Sequence, residues 1–177
     1  MIYGILACDM DGGVGLKQGL PWPMLKGDMD RFRRLTDGHI VVMGRKTYET
    51  LKAPLKNRLN VVISRNPDPY PNKYNNVIYT SAETFIDFLL SIDEEKEKEK
   101  DSEMDKNVYI IGGPEIWKLM SPYIHIFYVT HVMTRFKCDT YMDMGALKRL
   151  FPYVLMESKM HRDPKTGIFY TFEARTS

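Results

Sequence analysis

Short apolar runs alternate with segments of helical periodicity along most of the chain. The runs have the length of buried strands, and the segments between them repeat apolar residues at the three- and four-residue spacing of one helix face. The predicted strands are Ile2–Cys8, His39–Met43, Asn60–Ser64, Asn76–Thr80, Val108–Ile111, Ile124–His131, Val154–His161 and Ile168–Ala174, and the predicted helices are Asp28–Thr36, Lys46–Leu51, Ala82–Leu90 and Pro114–Met120. Buried strands separated by helices predict an α/β domain with a mostly parallel central sheet and helices on both faces.

The last two predicted strands differ from the others because no helix separates them. Arg162–Gly167, which contains Asp, Pro and Gly, joins them and has the composition of a turn. This arrangement predicts an antiparallel hairpin at one edge of the sheet.

A run of charged residues interrupts the pattern at Asp93–Lys106. It holds eight acids and four lysines, and Met104 is its one apolar residue. Such a segment has no face to bury, so it predicts a solvent-exposed insertion, either as an extension of the preceding helix or as a loop. We therefore expect one domain over residues 1–177 that carries an insertion at about 93–106.

Composition and charge restrict the functional classes. A chain of 177 residues with 44% hydrophobic residues is long enough for one domain with a core, and its net charge of +2 gives no basic surface that would indicate nucleic-acid binding. Cys8 and Cys138 are far apart in sequence, which fits a reducing compartment. Neither a signal peptide nor an apolar run of membrane-spanning length is apparent. We expect a cytoplasmic monomer that binds neither membrane nor nucleic acid and has no metal site.

Asp28 is a candidate functional acid because it is predicted on an apolar helix face. Residues four apart on a helix point the same way, so Asp28 shares its face with Phe32, and Leu35 lies close behind. A carboxylate there is costly unless it meets a ligand or changes its pKa. The structural alternative is that Asp28 only caps the start of its helix.

Three junctions where a strand ends are candidate phosphate sites. Ile110–Trp117 contains a Gly-Gly turn before a helix, whose backbone amides can bind an anion. Val41–Glu49 and Ile63–Arg65 end strands next to hydroxyls and to the cations Arg45, Lys46 and Arg65. The alternatives are a tight turn without a ligand and surface cations that only favour solubility.

These motifs together resemble those of the dihydrofolate reductase family. The matching segments occur in the family's order over essentially the whole chain: Gly15–Trp22, Asp28, Met43–Thr47, Pro54–Asn60, Ile111–Gly113, Asp139-Thr140 and Phe169–Glu173. The resemblance implies NADPH-dependent reduction of dihydrofolate to tetrahydrofolate, which supplies reduced folate for one-carbon and thymidylate metabolism. It also implies binding of antifolate-type small molecules, a cis Gly112–Gly113 peptide bond, and a lid over the site at residues 10–22.

The resemblance also implies roles for individual residues. The catalytic group would be Leu20, Trp22, Asp28 and Thr130, with Asp28 hydrogen-bonded to the pterin ring. The substrate would be lined by Ile5, Ala7, Met29, Phe32, Leu51, Leu55 and Ile111, and Arg58 would bind its α-carboxylate. NADPH would contact Ala7, Gly15, Leu20, Gly44, Arg45, Lys46, Thr47, Ser64, Arg65, Gly112, Gly113, Glu115, Ile116 and Trp117.

Some features depart from the family pattern. Glu115 stands where some members have a cation, which removes one possible phosphate contact, and Trp117 stands where tyrosine or phenylalanine is common. Two alternative functions remain at this point. One is a pyrimidine reductase of the riboflavin pathway, against which Asp28 and the Pro54–Asn60 motif argue, and the other is a non-catalytic protein that binds pterin or nucleotide.

Overall fold

A nine-stranded sheet lies at the centre of the computed structural model, which describes residues 1–67, 73–96 and 106–177. The strands are β1 Ile2–Cys8, β2 Gly13–Gly15, β3 Ile40–Gly44, β4 Leu59–Ile63, β5 Val77–Thr80, β6 Val108–Gly112, β7 Ile126–Val132, β8 Thr140–Tyr141, β9 Tyr153–Glu157, β10 His161–Arg162 and β11 Phe169–Thr176. The helices are α1 Lys26–Thr36, α2 Arg45–Glu49, α3 Ala82–Lys96, α4 Pro114–Met120 and α5 Met144–Leu150, with a 3₁₀ turn at Ser121–Tyr123.

The strand order of the sheet is β10-β11-β7-β1-β6-β3-β4-β5, and β9 pairs with β11. The pairs from β7 to β5 are all parallel, whereas β11 runs antiparallel to β7, β9 and β10. The small strands β2 and β8 form a separate antiparallel pair. The predicted α/β fold with an antiparallel hairpin at one edge is therefore confirmed.

The core has two layers because the central strands are covered on both faces. In β3, Ile40 and Val42 pack into one apolar cluster, whereas Val41 and Met43 pack into another on the opposite face. The first cluster also receives side chains from α3, α4 and α5, and the second is packed by Leu35 of α1 and Tyr48 of α2. The predicted helices thus lie on both faces of the sheet.

Several element boundaries differ from the sequence prediction. Helix α1 begins at Lys26 rather than at Asp28. The predicted strand Val154–His161 is two strands, because Ser158 exchanges two hydrogen bonds with the backbone of Phe172 through its N–H and its hydroxyl. Helix α5 was missed, although Asp143 caps it by accepting a hydrogen bond from the Ala146 N–H at 2.8 Å.

Helix α3 continues past its predicted end at Leu90 and reaches Lys96, inside the predicted charged insertion. Residues 97–105 of that insertion lie outside the described residues. Within the described part of the chain, no helix is both long enough and apolar enough to cross a membrane.

Candidate active site

Asp28 and Thr130 meet at the carboxyl end of the central strands. Thr130 is buried on β7, and its hydroxyl donates a hydrogen bond to the Asp28 Oδ1 at 2.6 Å. Burial raises the pKa of the partly buried Asp28 carboxyl above its ordinary value, while the Thr130 hydrogen bond and the nearby Arg31 charge act in the opposite direction. Asp28 lies in the first turn of α1, where an acid is favoured, but Leu25 occupies the N-cap position and no side chain caps the helix there, so Asp28 is not the cap.

The start of α1, which places Asp28, is tied to a turn near the end of the described chain. The Oδ2 of Asp163 accepts a hydrogen bond from the Lys26 N–H at 3.0 Å, and its Oδ1 accepts from the Thr166 N–H at 2.8 Å. Gly27 follows Lys26, and a Cβ there would collide with the Tyr170 hydroxyl. Asp163 was not singled out from the sequence, although an Asp-Pro turn beside a predicted hairpin is a site where such a side chain binds backbone amides.

Trp22 closes one side of the site. Its side chain is only 4% exposed and packs with Leu25, Val132 and Tyr170. Its indole Nε1 is buried and has no hydrogen-bond partner among the described residues, so this donor is available to a ligand or a water molecule. Leu20, which precedes it by two positions, is 52% exposed.

An apolar wall lines the face of the sheet on which α1 packs. Ile5, Leu51, Leu55 and Ile111 pack against the buried cluster of Val41, Met43 and Tyr109. Met29 and Phe32 are partly buried on α1. Ala7 lies directly beside Thr130, because the two are partners in the β1–β7 register. The structure therefore brings the predicted substrate-lining residues to the α1 side of the sheet.

Arg58 is oriented by α1 and by its own loop. Its Nη1 donates to the Thr36 Oγ1 at 3.1 Å, and its Nε donates to the Lys56 carbonyl at 2.8 Å. Asn60 fixes the preceding loop, since it accepts from the Leu55 N–H and donates to the Leu55 carbonyl, both at 3.0 Å. Among the described residues, the Arg58 Nη2 makes no hydrogen bond, so it can meet an incoming carboxylate.

The Gly112–Gly113 peptide bond is cis, as expected. A Cβ on Gly112 would lie 3.2 Å from the Trp117 ring, and a Cβ on Gly113 would lie 3.6 Å from the Thr47 Oγ1. Gly44 is similarly tight, because a Cβ there would lie 3.1 Å from Ile116 Cγ1. At these glycines the backbone of β3, β6 and the start of α4 packs closely against Ile116, Trp117 and Thr47.

The remaining predicted cofactor residues differ in their burial and in their contacts. Arg45 forms an ion pair with Glu49 at 2.6 Å, and Ser64 exchanges hydrogen bonds with the backbone of Asn66. Trp117 is buried, and its indole N–H donates to the Ile110 carbonyl at 3.1 Å, so it supports the glycine turn from the core side. Lys46, Arg65 and Glu115 are exposed, whereas Ile116 is buried.

The predicted lid, residues 10–22, is fastened at two points. The buried Asp9 carboxylate accepts hydrogen bonds from the N–H groups of Gly13 at 2.8 Å and Phe136 at 2.9 Å. Asp139 accepts from the Lys17 N–H at 2.8 Å, and its own N–H donates to the Gly15 carbonyl. The lid is thus held to the loop between β7 and β8. In the described ranges, no group of three His, Cys, Asp or Glu residues is placed to hold a metal ion.

The chain is similar to proteins of one family. A family model described as dihydrofolate reductase matches residues 1–176. The type 8 dihydrofolate reductase of Escherichia coli is 34% identical over 146 residues, which cover 82% of each chain. The dihydrofolate reductase of Mus musculus is 32% identical over 186 residues, covering 96% of this chain and 93% of that protein. The solved structure of Enterococcus faecalis dihydrofolate reductase, complexed with NADP(H) and RAB-propyl, has a TM-score of 0.80 at 24% identity and covers 99% of this chain and 95% of that one, so the two share a fold.

Proposed function

Because this chain belongs to the dihydrofolate reductase family, and is therefore an NADPH-dependent enzyme that reduces dihydrofolate to tetrahydrofolate, we propose that Asp28 and Thr130 bind the pterin ring of the substrate. The observation that carries the proposal is the 2.6 Å hydrogen bond between these side chains on an otherwise apolar wall. The Thr130 hydroxyl donates its hydrogen bond to the Oδ1 of Asp28, which leaves Oδ2 to bind the amidine edge of the pterin.

NADPH supplies the hydride, and the protein aligns the two ligands and excludes water. Asp28 holds a proton near the pterin ring, because burial raises the pKa of its carboxyl. The reaction reduces a carbon–nitrogen double bond of the pterin ring: the carbon gains the hydride and the nitrogen gains a proton. One NADPH and one proton are therefore consumed for each dihydrofolate. The buried Trp22 Nε1 is a further donor at this site, and we propose that it meets the substrate directly or through water.

The rest of the substrate follows the apolar wall away from Asp28. We propose that Ile5, Ala7, Met29, Phe32, Leu51, Leu55 and Ile111 contact its rings, since these side chains are only partly buried and can cover an aromatic ligand. Arg58 then binds the α-carboxylate. The Thr36 and Lys56 contacts hold the guanidinium in place before the ligand arrives, which lowers the entropic cost of binding.

Gly44, Gly112 and Gly113 lie at strand-to-helix junctions, where backbone amides without a neighbouring side chain can be approached closely by a pyrophosphate. We propose that these glycines and Thr47 hold the pyrophosphate end, and that Arg45, Lys46, Ser64 and Arg65 hold the adenosine 2′-phosphate. Gly15 and Leu20 of the lid, with Ala7, would cover the nicotinamide. The start of α4 would lie beside the cofactor and contribute Glu115, Ile116 and Trp117. Of these, the apolar Ile116 and Trp117 would act by supporting the turn at Gly112–Gly113.

We also propose that the protein acts as a cytoplasmic monomer. Both cysteines are free, which fits a reducing compartment. Strand β9 leaves Tyr153 and Leu155 exposed at the sheet edge, which is where a second copy would pair in a dimer. Light scattering after gel filtration tests the monomeric state, and a stable dimer would contradict it.

The decisive assay follows the loss of NADPH absorbance when dihydrofolate is added. A rapid loss of absorbance that requires both NADPH and dihydrofolate, and that a diaminopyrimidine antifolate inhibits, supports the function. An aminopyrimidine of riboflavin synthesis is the matched control substrate, and turnover of that compound alone would indicate the pyrimidine reductase instead. Binding of both ligands without turnover would indicate the non-catalytic alternative.

A further inference from the structure

Arg31 lies between two aromatic rings beneath α1. Its Cζ is 4.4 Å from the centre of the Phe172 ring and 5.1 Å from the centre of the Tyr128 ring. Arg33 and Arg34, which follow it on the helix, are exposed, whereas Arg31 is partly buried. A guanidinium over the faces of rings is attracted by their negative potential, more strongly where water is excluded. Packing therefore fixes the position of this charge, and within the described residues Arg31 forms no salt bridge.

The two rings belong to a row of aromatic side chains that crosses the sheet. Tyr3 stacks on Tyr109 at 4.9 Å and on Tyr128 at 5.6 Å. On the other side of Arg31, Phe172 contacts Tyr170 at 5.4 Å, and Tyr170 stacks on His161 at 5.4 Å. Arg31 fills the gap between the two halves of this row. The neighbouring rings therefore pack against Tyr128 and Phe172 and support them in the positions that hold Arg31.

Tyr128 and Phe172, which form the clamp around Arg31, lie in the same patch of the sheet as Thr130, the hydrogen-bond partner of Asp28. Phe172 is the direct register partner of Thr130 across β7 and β11, and Tyr128 precedes Thr130 by two positions on β7. Side chains opposite each other or two apart on a strand point to the same face. Helix α1 therefore contacts this patch twice, through Asp28 on Thr130 and, one turn later, through Arg31 between Tyr128 and Phe172.

We propose that Arg31 is a positioning residue, which holds Asp28 on Thr130 and supplies the positive charge that favours the ionised carboxylate. The inference rests on the proposed role of Asp28. Residues three apart on a helix are neighbours, so the fixed charge lies beside the carboxylate without neutralising it by direct contact. Arg31 thus opposes the effect of burial on Asp28.

The other ionisable groups around Asp28 do not supply this charge. Tyr128 on β7 and Tyr170 on β11 have pKa values raised by burial, so both are neutral at physiological pH. Asp163, which lies in the turn between β10 and β11 and accepts a hydrogen bond from the Lys26 N–H, is an acid and acts in the opposite sense to Arg31. Lys26 of α1 is paired with Asp30 at 2.5 Å, on the exposed side of the helix.

The Arg31 charge should therefore lower the pH at which the rate of hydride transfer begins to fall. The proposed mechanism needs a proton on the pair formed by Asp28 and the pterin, and a nearby cation makes that proton easier to lose. Removing the Arg31 charge should therefore extend activity to more alkaline pH. A residue that served packing alone would change the rate equally at every pH.

The test is single-turnover hydride transfer at saturating NADPH, from weakly acid to alkaline pH, with each rate divided by the variant's own acid plateau. Arg31→Met should retain roughly two- to tenfold more of its plateau rate at alkaline pH than the wild type, as expected for loss of a partly solvated neighbouring charge. Arg31→Lys keeps the charge and should stay near the wild-type profile. The matched control Arg34→Met removes an exposed cation from the same helix and should superimpose on the wild type.

Phe172→Leu provides a second test, because it removes one ring of the clamp and leaves the charge in place. It should shift the profile in the same direction as Arg31→Met by a smaller factor, and it carries the test if Arg31→Met does not fold. Normalised profiles of Arg31→Met or Phe172→Leu that superimpose on the wild type would overturn the proposal. A wild-type rate that is itself independent of pH would instead overturn the assignment of Asp28.

Discussion

The guanidinium of Arg58 and the hydroxyl of Thr36 are joined at 3.1 Å, and this hydroxyl in turn donates to the Phe32 carbonyl at 2.8 Å inside α1. The group proposed to bind the substrate carboxylate is thus anchored to the same helix that carries Asp28. One helix consequently sets the separation between the two ends of the substrate.

Arg58→Leu should weaken dihydrofolate binding by about 10- to 100-fold, since charge-assisted hydrogen bonds to a carboxylate are lost. A small diaminopyrimidine inhibitor, which has no such carboxylate, should be affected far less. Isothermal titration of both ligands measures the difference, and Lys56→Leu, which removes an exposed cation from the same loop, is the control. Equal losses for the two ligands would mean that Arg58 supports the pocket rather than the carboxylate.

Asp28→Asn should keep NADPH binding and lower turnover at neutral pH by about 10²- to 10⁴-fold, the usual contribution of acid–base help. The substitution preserves size and removes the ionisable group. Asp30→Asn is the matched control, because Asp30 lies on the same helix but pairs with the exposed Lys26. Turnover of Asp28→Asn near the wild-type value would show that another group performs this role.

The hydride-transfer rate of the wild type should fall as the pH rises. Burial raises the pKa of Asp28, so the carboxyl keeps its proton to higher pH than an ordinary aspartic acid, and the active protonated form disappears as the pH passes the apparent pKa of the Asp28–pterin pair. Stopped-flow measurement of NADPH fluorescence gives this rate directly. A rate that is constant from weakly acid to alkaline pH is incompatible with the mechanism.

Arg45→Ala should narrow the preference for NADPH over NADH by on the order of tenfold, because only NADPH carries the 2′-phosphate that the guanidinium would bind. Arg45 is paired with Glu49 in the structure, so the effect is smaller than for an unpaired cation. The ratio of kcat/KM for the two cofactors is the measurement, with the exposed Lys52→Ala as control. If both cofactors weaken equally, Arg45 contacts the pyrophosphate or stabilises α2.

Replacing residues 94–105 with a short Gly/Ser linker should leave the Michaelis constants and the melting temperature nearly unchanged. The segment has one apolar residue, and loop closure changes by only about 0.6 kcal/mol per twofold change in length. A linker of scrambled sequence and equal charge is the control. A large change in either quantity would mean that the charged segment packs against the enzyme.

Periodicity predicted the fold because the central strands β3, β4 and β6 are buried on both faces. Strand β3 is buried from Ile40 to Met43 and reads as a continuous apolar run, which only a covered sheet explains. The edge was harder to predict. Every residue of β9 is exposed, so its apolar pattern does not report burial, and the break at Ser158 depends on hydrogen bonds to a distant strand.

The site could be predicted only as far as local patterns reach. The resemblance named Asp28 and Thr130, and the structure brings them together. Asp163 and Arg31 were missed as parts of the site, because the first acts on α1 from 137 residues away and the second depends on rings from two strands. Neither of these long-range contacts produces a recognisable residue spacing in the sequence.

Strand β11 lies inside the sheet, between β7 and the β9–β10 edge. A nascent chain that ends at Lys159 contains every parallel strand, but it lacks both Asp163, which fixes the start of α1, and Phe172, which lies opposite Thr130. The active site is therefore assembled only after residue 176 has been translated. Until then the nascent chain exposes the open edge of β7, where a chaperone or a second nascent chain can bind.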